Sequence, residues 1–255
     1  MKIQEGSHVL LFYTQTKKWL TKVTLEKKFH THLGIIDISS IVGMEYGSSI
    51  LTTEGKTVFL VEPTTCDFVM KSKRSTQIVY PKDLGFIAAR TGLKNGSSVL
   101  EVGTGSAALT TFMASIAKPD GHIHTFDVNK DFLTTARQNL EKAGMIEYVT
   151  LHQNDVHDGI PLSNIDIGVV DLGDPWTVLQ QVHEALKGSG SFVAICPTMN
   201  QLEKTSVALK EHNFIDIESV ELIIRNIEAR EGMTRPSMRM IGHTTYLIFA
   251  RKALK

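Results

Sequence analysis

Two glycines one residue apart, Gly103 and Gly105, lie in the segment 99–106 (VLEVGTGS), and an acid, Glu101, stands just before them. Glycines at that spacing let a chain turn sharply at a strand end and bring its backbone close to a ligand. The helix expected from about Ala107 aims its free N–H groups at the same place. The turn alone indicates a nucleotide-like cofactor. A carboxylate beside it suits S-adenosylmethionine, whose amino and sulfonium groups are cationic. Thr104 and Ser106 complete the turn. Asp127 ends the next expected strand, about 20 residues on, where a carboxylate accepts ribose hydroxyls; the alternative is a helix N-terminal acid, a role open to Asn129 or Asp131 instead. Asp155 follows a third strand and has two readings, a partner for an adenine amino group or a solvated loop acid beside Asp158. Asp171 opens the segment 171–176 (DLGDPW) at the carboxyl end of a fourth strand, the edge at which parallel sheets bind ligands. A fixed carboxylate there can stabilise a developing cation. Trp176 can stack on a base or simply pack beneath its own loop.

A scaffold of alternating strands and helices must hold those residues, and it begins after about Ser75. Residues 81–91 have helical spacing, with Pro81 suited to a first turn and Leu84, Ile87 and Ala88 on one face. Strands are expected at 98–102, 122–127, 149–152, 165–171 and 190–196, with helices at 107–117, 130–143, 178–186 and 201–211. The alternation predicts an α/β fold over 76–255, a doubly wound, Rossmann-like domain. It breaks at the end: 214–224 and 244–251 are both strand-like and are expected to pair antiparallel at the sheet's edge. The segment 226–243 between them is too long for a tight turn and carries Arg230, Arg235 and Arg239, next to Arg225. Long ordered loops are usually functional. Residues 1–75 have a different texture. Short β-branched and aromatic runs at 7–13, 19–24, 31–35, 49–51 and 56–60, punctuated by glycines, predict a small all-β, barrel-like domain.

With 42% hydrophobic residues, the 255-residue chain has enough apolar content for a real core. No apolar run approaches the ~20 residues that span a bilayer, and the start has no signal-peptide shape. Cys66 and Cys196 lie far apart and read as free thiols in a reducing cytoplasm. The histidines lack ligand spacing, so no metal is expected. Net charge is zero, but it is spread unevenly: +3 over 1–75, −7 over 76–220 and +4 over 221–255. An acidic middle between basic ends is compatible with RNA gripped by the ends, and equally with ordinary fluctuation.

Segments 74–83 (RSTQIVYPKD), 99–110 (VLEVGTGSAALT), 174–176 (DPW), 197–201 (PTMNQ) and 235–252 (RPSMRMIGHTTYLIFARK) together carry a resemblance. The chain resembles the tRNA (adenine-N1)-methyltransferases of position 58 in the T-loop, in their archaeal and bacterial homotetrameric form. The likeness runs from Arg74 to the end, and the β-rich module, expected to bind tRNA, matches the family layout. It implies S-adenosylmethionine as cofactor, tRNA as partner, a cytoplasmic homotetramer, and methyl transfer to adenine N1 at position 58, in some archaeal members also 57. By that resemblance Asp171 is the catalytic acid and Tyr80 lines the target pocket. Gln77, Glu101, Gly103, Thr104, Gly105, Ser106, Asp127 and Asp155 bind the cofactor, and Trp176, Thr198, Gln201, Arg235 and His243 contact the substrate. Lys82 and Asp83 are expected to cap a helix. Lys17, Lys18, Lys22, Lys27, Lys28, Lys71, Lys73 and Arg74 are candidates for phosphate contact. Two positions depart from the family pattern: Ala107 stands where a glycine is usual and is expected in the first helical turn, and Gly173 replaces a larger residue and is expected to loosen its loop.

Three competing readings remain. A non-catalytic tRNA-binding paralogue would tend to lose Glu101, Asp127 and Asp171. A methyltransferase of protein isoaspartate or of a small molecule would not need DPW, the Tyr80 segment or the basic modules. An NAD-dependent oxidoreductase fits poorly with Glu101 and the antiparallel ending.

Overall fold

Residues 57–61 (TVFLV) alternate exposed and buried as a strand with one dry face does, whereas 8–12 (HVLLF) buries three consecutive apolar residues on both of its faces. The computed structural model describes residues 1–74 and 76–254; Ser75, where the sequence divides the chain, and Lys255 lie outside the described residues. The chain forms two units, Met1–Ser72 and Lys73–Lys255. In the first, β1 (His8–Phe12), β2 (Lys18–Lys22), β3 (Lys28–Thr31), β4 (Gly34–Asp37), β5 (Ser49–Leu51) and β6 (Thr57–Val61) precede a short helix, α1 (Thr65–Met70). An antiparallel sheet of order β2-β1-β6-β5 and a separate β3-β4 hairpin enclose one core, which includes Val9, Leu11, Ile36, Val58 and Leu60. The module is barrel-like without a closed ring of strand pairing. The expected strand 31–35 is instead broken by that hairpin's turn at 32–33, with Thr31 ending β3 and Gly34 opening β4. Gly34 sits at φ +102°, and a Cβ there would meet the side chain and backbone of Thr53 and Glu54 within 3 Å. Helix α1 starts at a capping box in which Thr64 and Asp67 exchange side-chain and backbone bonds.

The second unit carries the expected alternation: α2 (Pro81–Thr91), β7 (Ser98–Val102), α3 (Ala108–Ala117), β8 (His122–Phe126), α4 (Lys130–Ala143), β9 (Val149–His152), β10 (Ile165–Val170), α5 (Leu179–Ala185), β11 (Leu186–Cys196), α6 (Met199–Glu211), β12 (Phe214–Glu221), β13 (Ile227–Glu228), β14 (Arg235–Pro236) and β15 (Tyr246–Lys252). The seven-stranded sheet has the order β12-β15-β11-β10-β7-β8-β9. Strands β9, β8, β7, β10 and β11 pair in parallel, while β15 is inserted antiparallel between β11 and β12. The expected pairing of the last two long strands is present, and β15 reaches further into the sheet than an edge hairpin would. Within the long connection before β15, β13 and β14 form a two-residue ladder.

The order reverses between β7 and β10, so their carboxyl ends open a crevice. Leu100, Val102, Val170, Val178 and Phe192 fill the core below it. Ala107 departs from its expectation. It lies at φ 57°, ψ 31°, just before the first turn of α3, as the helix's N-cap residue. A left-handed alanine costs about 1–2 kcal/mol, which is the physical reason for a glycine at this corner. Here Ala107 is fully buried, and its carbonyl accepts bonds from the backbone and hydroxyl of Thr111.

Buried Asn139 on α4 ties this corner together. Its amide donates to the carbonyls of Lys73 and Ser106, both at 2.9 Å, and accepts from the Lys73 N–H at 3.0 Å. Replacing it with leucine, Asn139→Leu, keeps the bulk but strips backbone groups of their partners, which costs about 2–4 kcal/mol. The thermal midpoint should fall by roughly 5–10 °C; an unchanged midpoint would show that water replaces the amide.

Candidate active site

Strand register brings the three acids together. Val102 of β7 pairs with Val170 on one side and with Phe126 on the other. The next residue on each strand, Gly103, Asp171 and Asp127, therefore emerges at the same end of the sheet. The Asp171 N–H donates to the Val102 carbonyl at 2.8 Å, and the Gly103 N–H to the Phe126 carbonyl at 2.9 Å. Gly103 holds φ +97°, and a Cβ there would lie 2.2 Å from the backbone oxygen of Asp171. Only glycine fits between these strands. Gly105, at φ +51°, donates its N–H to Asp127 at 3.0 Å, and the other Asp127 oxygen accepts from the Asn129 N–H at 2.9 Å. Asn129 itself caps α4, so Asp127 is not needed as a cap.

Glu101, two residues before Gly103 on β7, lines the same centre and is 1% exposed. Its carboxylate accepts from the Thr110 hydroxyl at 2.6 Å. Behind it, Thr104 and Thr125 share a hydroxyl bond of 2.7 Å. Burial pushes the Glu101 carboxyl up to about 8, against the pull of Thr110 and Thr125, and the neighbouring charges of Asp171 and Asp127 push the same way. Burial likewise raises Asp171 to about 6. The Asp171 residue as a whole is partly exposed, and it lines two neighbouring cavities. Among the described residues, none of the ion pairs involves Glu101, Asp127 or Asp171. The site gathers three carboxyl groups with no ion-pair partner among the described residues, and it holds Glu101 as the neutral acid.

Four cavities run in series across this centre. The first, of about 180 Å³, is lined by Asp127, Asp155, Val156 and Leu172 among others. It shares Gly103 with a narrow slot between Glu101, Gly105, Ser106 and Gln77. That slot shares Gln77, Ile78, Val79 and Asp171 with a third cavity, which Tyr80, Pro197, Thr244 and Thr245 complete. Tyr80 and Thr244 also line a fourth, of about 400 Å³. The predicted residues Gln77, Tyr80, Glu101, Gly103, Thr104, Gly105, Ser106, Asp127, Asp155 and Asp171 all lie along this path.

Five other predicted residues are placed differently. The Trp176 ring lies 4.7 Å from the Lys204 ammonium and lines none of these four cavities. Thr198 and Gln201 form the capping box of α6, so their polar atoms are engaged with each other. The Gln201 amide also holds the Gly173 carbonyl at 2.8 Å, which steadies the loop that a glycine was expected to loosen. Arg235 pairs with Glu228 at 3.0 Å inside the β13–β14 ladder. His243 bridges the ends of two strands, with Nδ1 2.6 Å from Glu221 and Nε2 2.8 Å from the Pro197 carbonyl. Both partners accept, so both ring nitrogens must donate, and the bonds to Glu221 and Pro197 raise the imidazole's pKa. Asp155 caps the short turn after β9, and the His157 N–H and ring that it binds lower its pKa.

The sequence missed a buried cluster beside Tyr80. Lys82 and Asp83 do not serve as helix caps. Lys82 Nζ lies 2.7 Å from both Asp83 and the Thr244 hydroxyl, and Thr244 donates to the other Asp83 oxygen at 3.2 Å. Asp83 is fully buried. Nothing in local spacing links two residues 161 positions apart.

Comparison with known proteins gives a consistent picture. The family described as the tRNA methyltransferase complex GCD14 subunit matches residues 56–233. The tRNA (adenine(57)-N(1)/adenine(58)-N(1))-methyltransferase TrmI of Methanocaldococcus jannaschii is 37% identical, covering 96% of this chain and 95% of that protein. A crystal structure of a Thermotoga maritima protein described as a SAM-dependent O-methyltransferase matches with a TM-score of 0.95 and 37% identity, over 100% of this chain and 96% of that one. That of the tRNA (m1A58) methyltransferase TrmI from Aquifex aeolicus matches with a TM-score of 0.87 and 30% identity over the whole of both chains.

Glu101 also governs stability. Its folded value of about 8 lies above its ordinary 4.5, so between them the folded protein holds a proton that the unfolded chain has lost. Stability therefore falls as pH rises through that window, and the loss is complete above about 8. In Glu101→Gln the thermal midpoint should stay several degrees higher than wild type at pH 9 and draw level toward pH 4.5. Parallel curves would show that Glu101 is not buried as a neutral acid.

Proposed function

The chain belongs to the GCD14 tRNA methyltransferase family, and from that premise we propose that it transfers a methyl group from S-adenosylmethionine to N1 of adenine 58 in the tRNA T-loop. The observation that carries the reading is the placement of Asp171 between the cofactor slot and the Tyr80 cavity. The donor set suits the cofactor. Buried Glu101 offers a carboxylate to an ammonium group, Asp127 offers one to ribose hydroxyls, and Gly103 and Gly105 leave room where a side chain would intrude. Val156 and Leu172 supply apolar walls for a purine, with Asp155 at its edge. S-adenosylmethionine, when bound, supplies a methyl group on a cationic sulfur that leaves with the bonding electrons.

Adenine N1 attacks with its ring lone pair and has no proton to lose, so the product base carries the positive charge. Asp171, held by its backbone bond to Val102, meets that charge with a fixed carboxylate and accepts from the exocyclic amine. Tyr80 bounds the target pocket, its hydroxyl 3.3 Å from the Gln77 amide, and the Lys82–Asp83–Thr244 cluster fixes the turn that carries it. Gln201 positions the loop after Asp171. The module Met1–Ser72 supplies cations and an aromatic group, Trp19 packed against Phe29 and His32, for RNA contact. The protein is proposed to work as a homotetramer in the cytoplasm. Among the described residues, no helix is long and apolar enough to cross a membrane.

Incubation with unmodified tRNA transcript and labelled S-adenosylmethionine, followed by nucleoside mapping, tests the reading. 1-Methyladenosine in the T-loop is expected, with Asp171→Asn slower by about 100-fold or more. The rate should fall as pH drops through about 6, where Asp171 takes up a proton. Methyl appearing only on a hydroxyl or carboxyl oxygen, or tRNA binding without transfer, would overturn it.

A further inference from the structure

The cavity of about 400 Å³ beyond Tyr80 has no part in the reaction described above, although it opens from the same wall. Tyr80 and Thr244 separate it from the Asp171 cavity. Its far side is apolar and unusually open: Ile224, Met240 and Ile241 are 54%, 46% and 61% exposed. Such groups lose water readily when a flat ring covers them. Arg239 stands at the same rim, and among the described residues it has no ion pair. Lys82 adds a second cation, already bound to Asp83. An apolar slot with one aromatic wall and an arginine at its mouth has the chemistry of a nucleotide site, with stacking for the base and a guanidinium for the phosphate.

We propose that this cavity is a second nucleobase subsite, which takes the base next to the target adenine while Arg239 contacts the connecting phosphate. The assignment rests on the reading of the Asp171 pocket as the target site. Two cavities sharing the Tyr80 wall accept two consecutive nucleotides, one for reaction and one as an anchor. The anchor offsets part of the unstacking needed to expose the target. Its walls are mostly apolar, and the Asn226 amide adds one group able to pair with a base edge.

The test uses T-loop transcripts with a reduced abasic residue on the 5′ or the 3′ side of the target, assayed with wild type and with Ile241→Trp, which fills the cavity. Loss of the anchoring base on one side should raise the wild-type KM about tenfold with kcat within about twofold. Ile241→Trp should bind the intact transcript more weakly and be indifferent to that lesion. 2-Aminopurine at the same position should be quenched on binding to wild type and remain bright with the variant, a readout that needs no transfer. Arg239→Gln should reduce the salt slope of binding by about one. Wild type indifferent to both lesions, or a variant as sensitive as wild type, overturns the subsite alone. Absence of methyl transfer to the intact transcript by wild type overturns the target-site reading and the subsite with it.

Discussion

A group of three carboxyl groups without a paired cation is the constraint on which the site depends. Glu101, Asp127 and Asp171 converge at one end of the sheet, with Glu101 almost wholly out of water. Burying a carboxylate without a cation is unfavourable, and the protein answers by holding Glu101's proton, not its charge. A ligand that brings positive charge reverses that balance. Binding energy is therefore available in the electrostatics before any contact with the nucleoside is counted. Thr110 and Thr125 keep the Glu101 carboxyl aimed while it waits.

The sheet is built to impose this convergence. Neighbouring parallel strands in register place consecutive C-terminal residues side by side, and the reversal of order at β7 and β10 leaves the gap above them open. Gly103 is the price of that proximity, since the Asp171 backbone occupies the place of its side chain. The antiparallel β15, between β11 and β12, brings His243 and Thr244 to the same rim. The parallel half of the sheet thus holds the three acids, and the antiparallel half closes the cavity beside Tyr80.

Most of this was legible locally. The glycine turn, the strand-end acids and the helix after Pro81 follow from period and spacing, and strands β7 and β9 have the bounds the sequence predicts. Turn chemistry was the weaker part. A β-rich run at 31–35 conceals a hairpin turn because Gly34 alone can adopt its φ, and Ala107 occupies a left-handed corner that its helical propensity does not betray. Partners distant in sequence were the least visible. Thr198 and Gln201 have the spacing of a capping box, which accounts for them without a ligand. The Lys82–Asp83–Thr244 cluster, the Lys204 ammonium over Trp176 and the His243 bridge join strands and helices that only the folded chain brings together.

Calorimetric counting of protons exchanged when S-adenosylmethionine binds, made at pH 6.5 in buffers of different ionisation enthalpy, tests the carboxylate account most directly. At that pH Glu101 should be neutral in the free protein and ionised opposite the ligand's ammonium group. Release of about one proton per site is expected, abolished in Glu101→Gln. Binding with no proton exchange by wild type, or equal release by the variant, would contradict it.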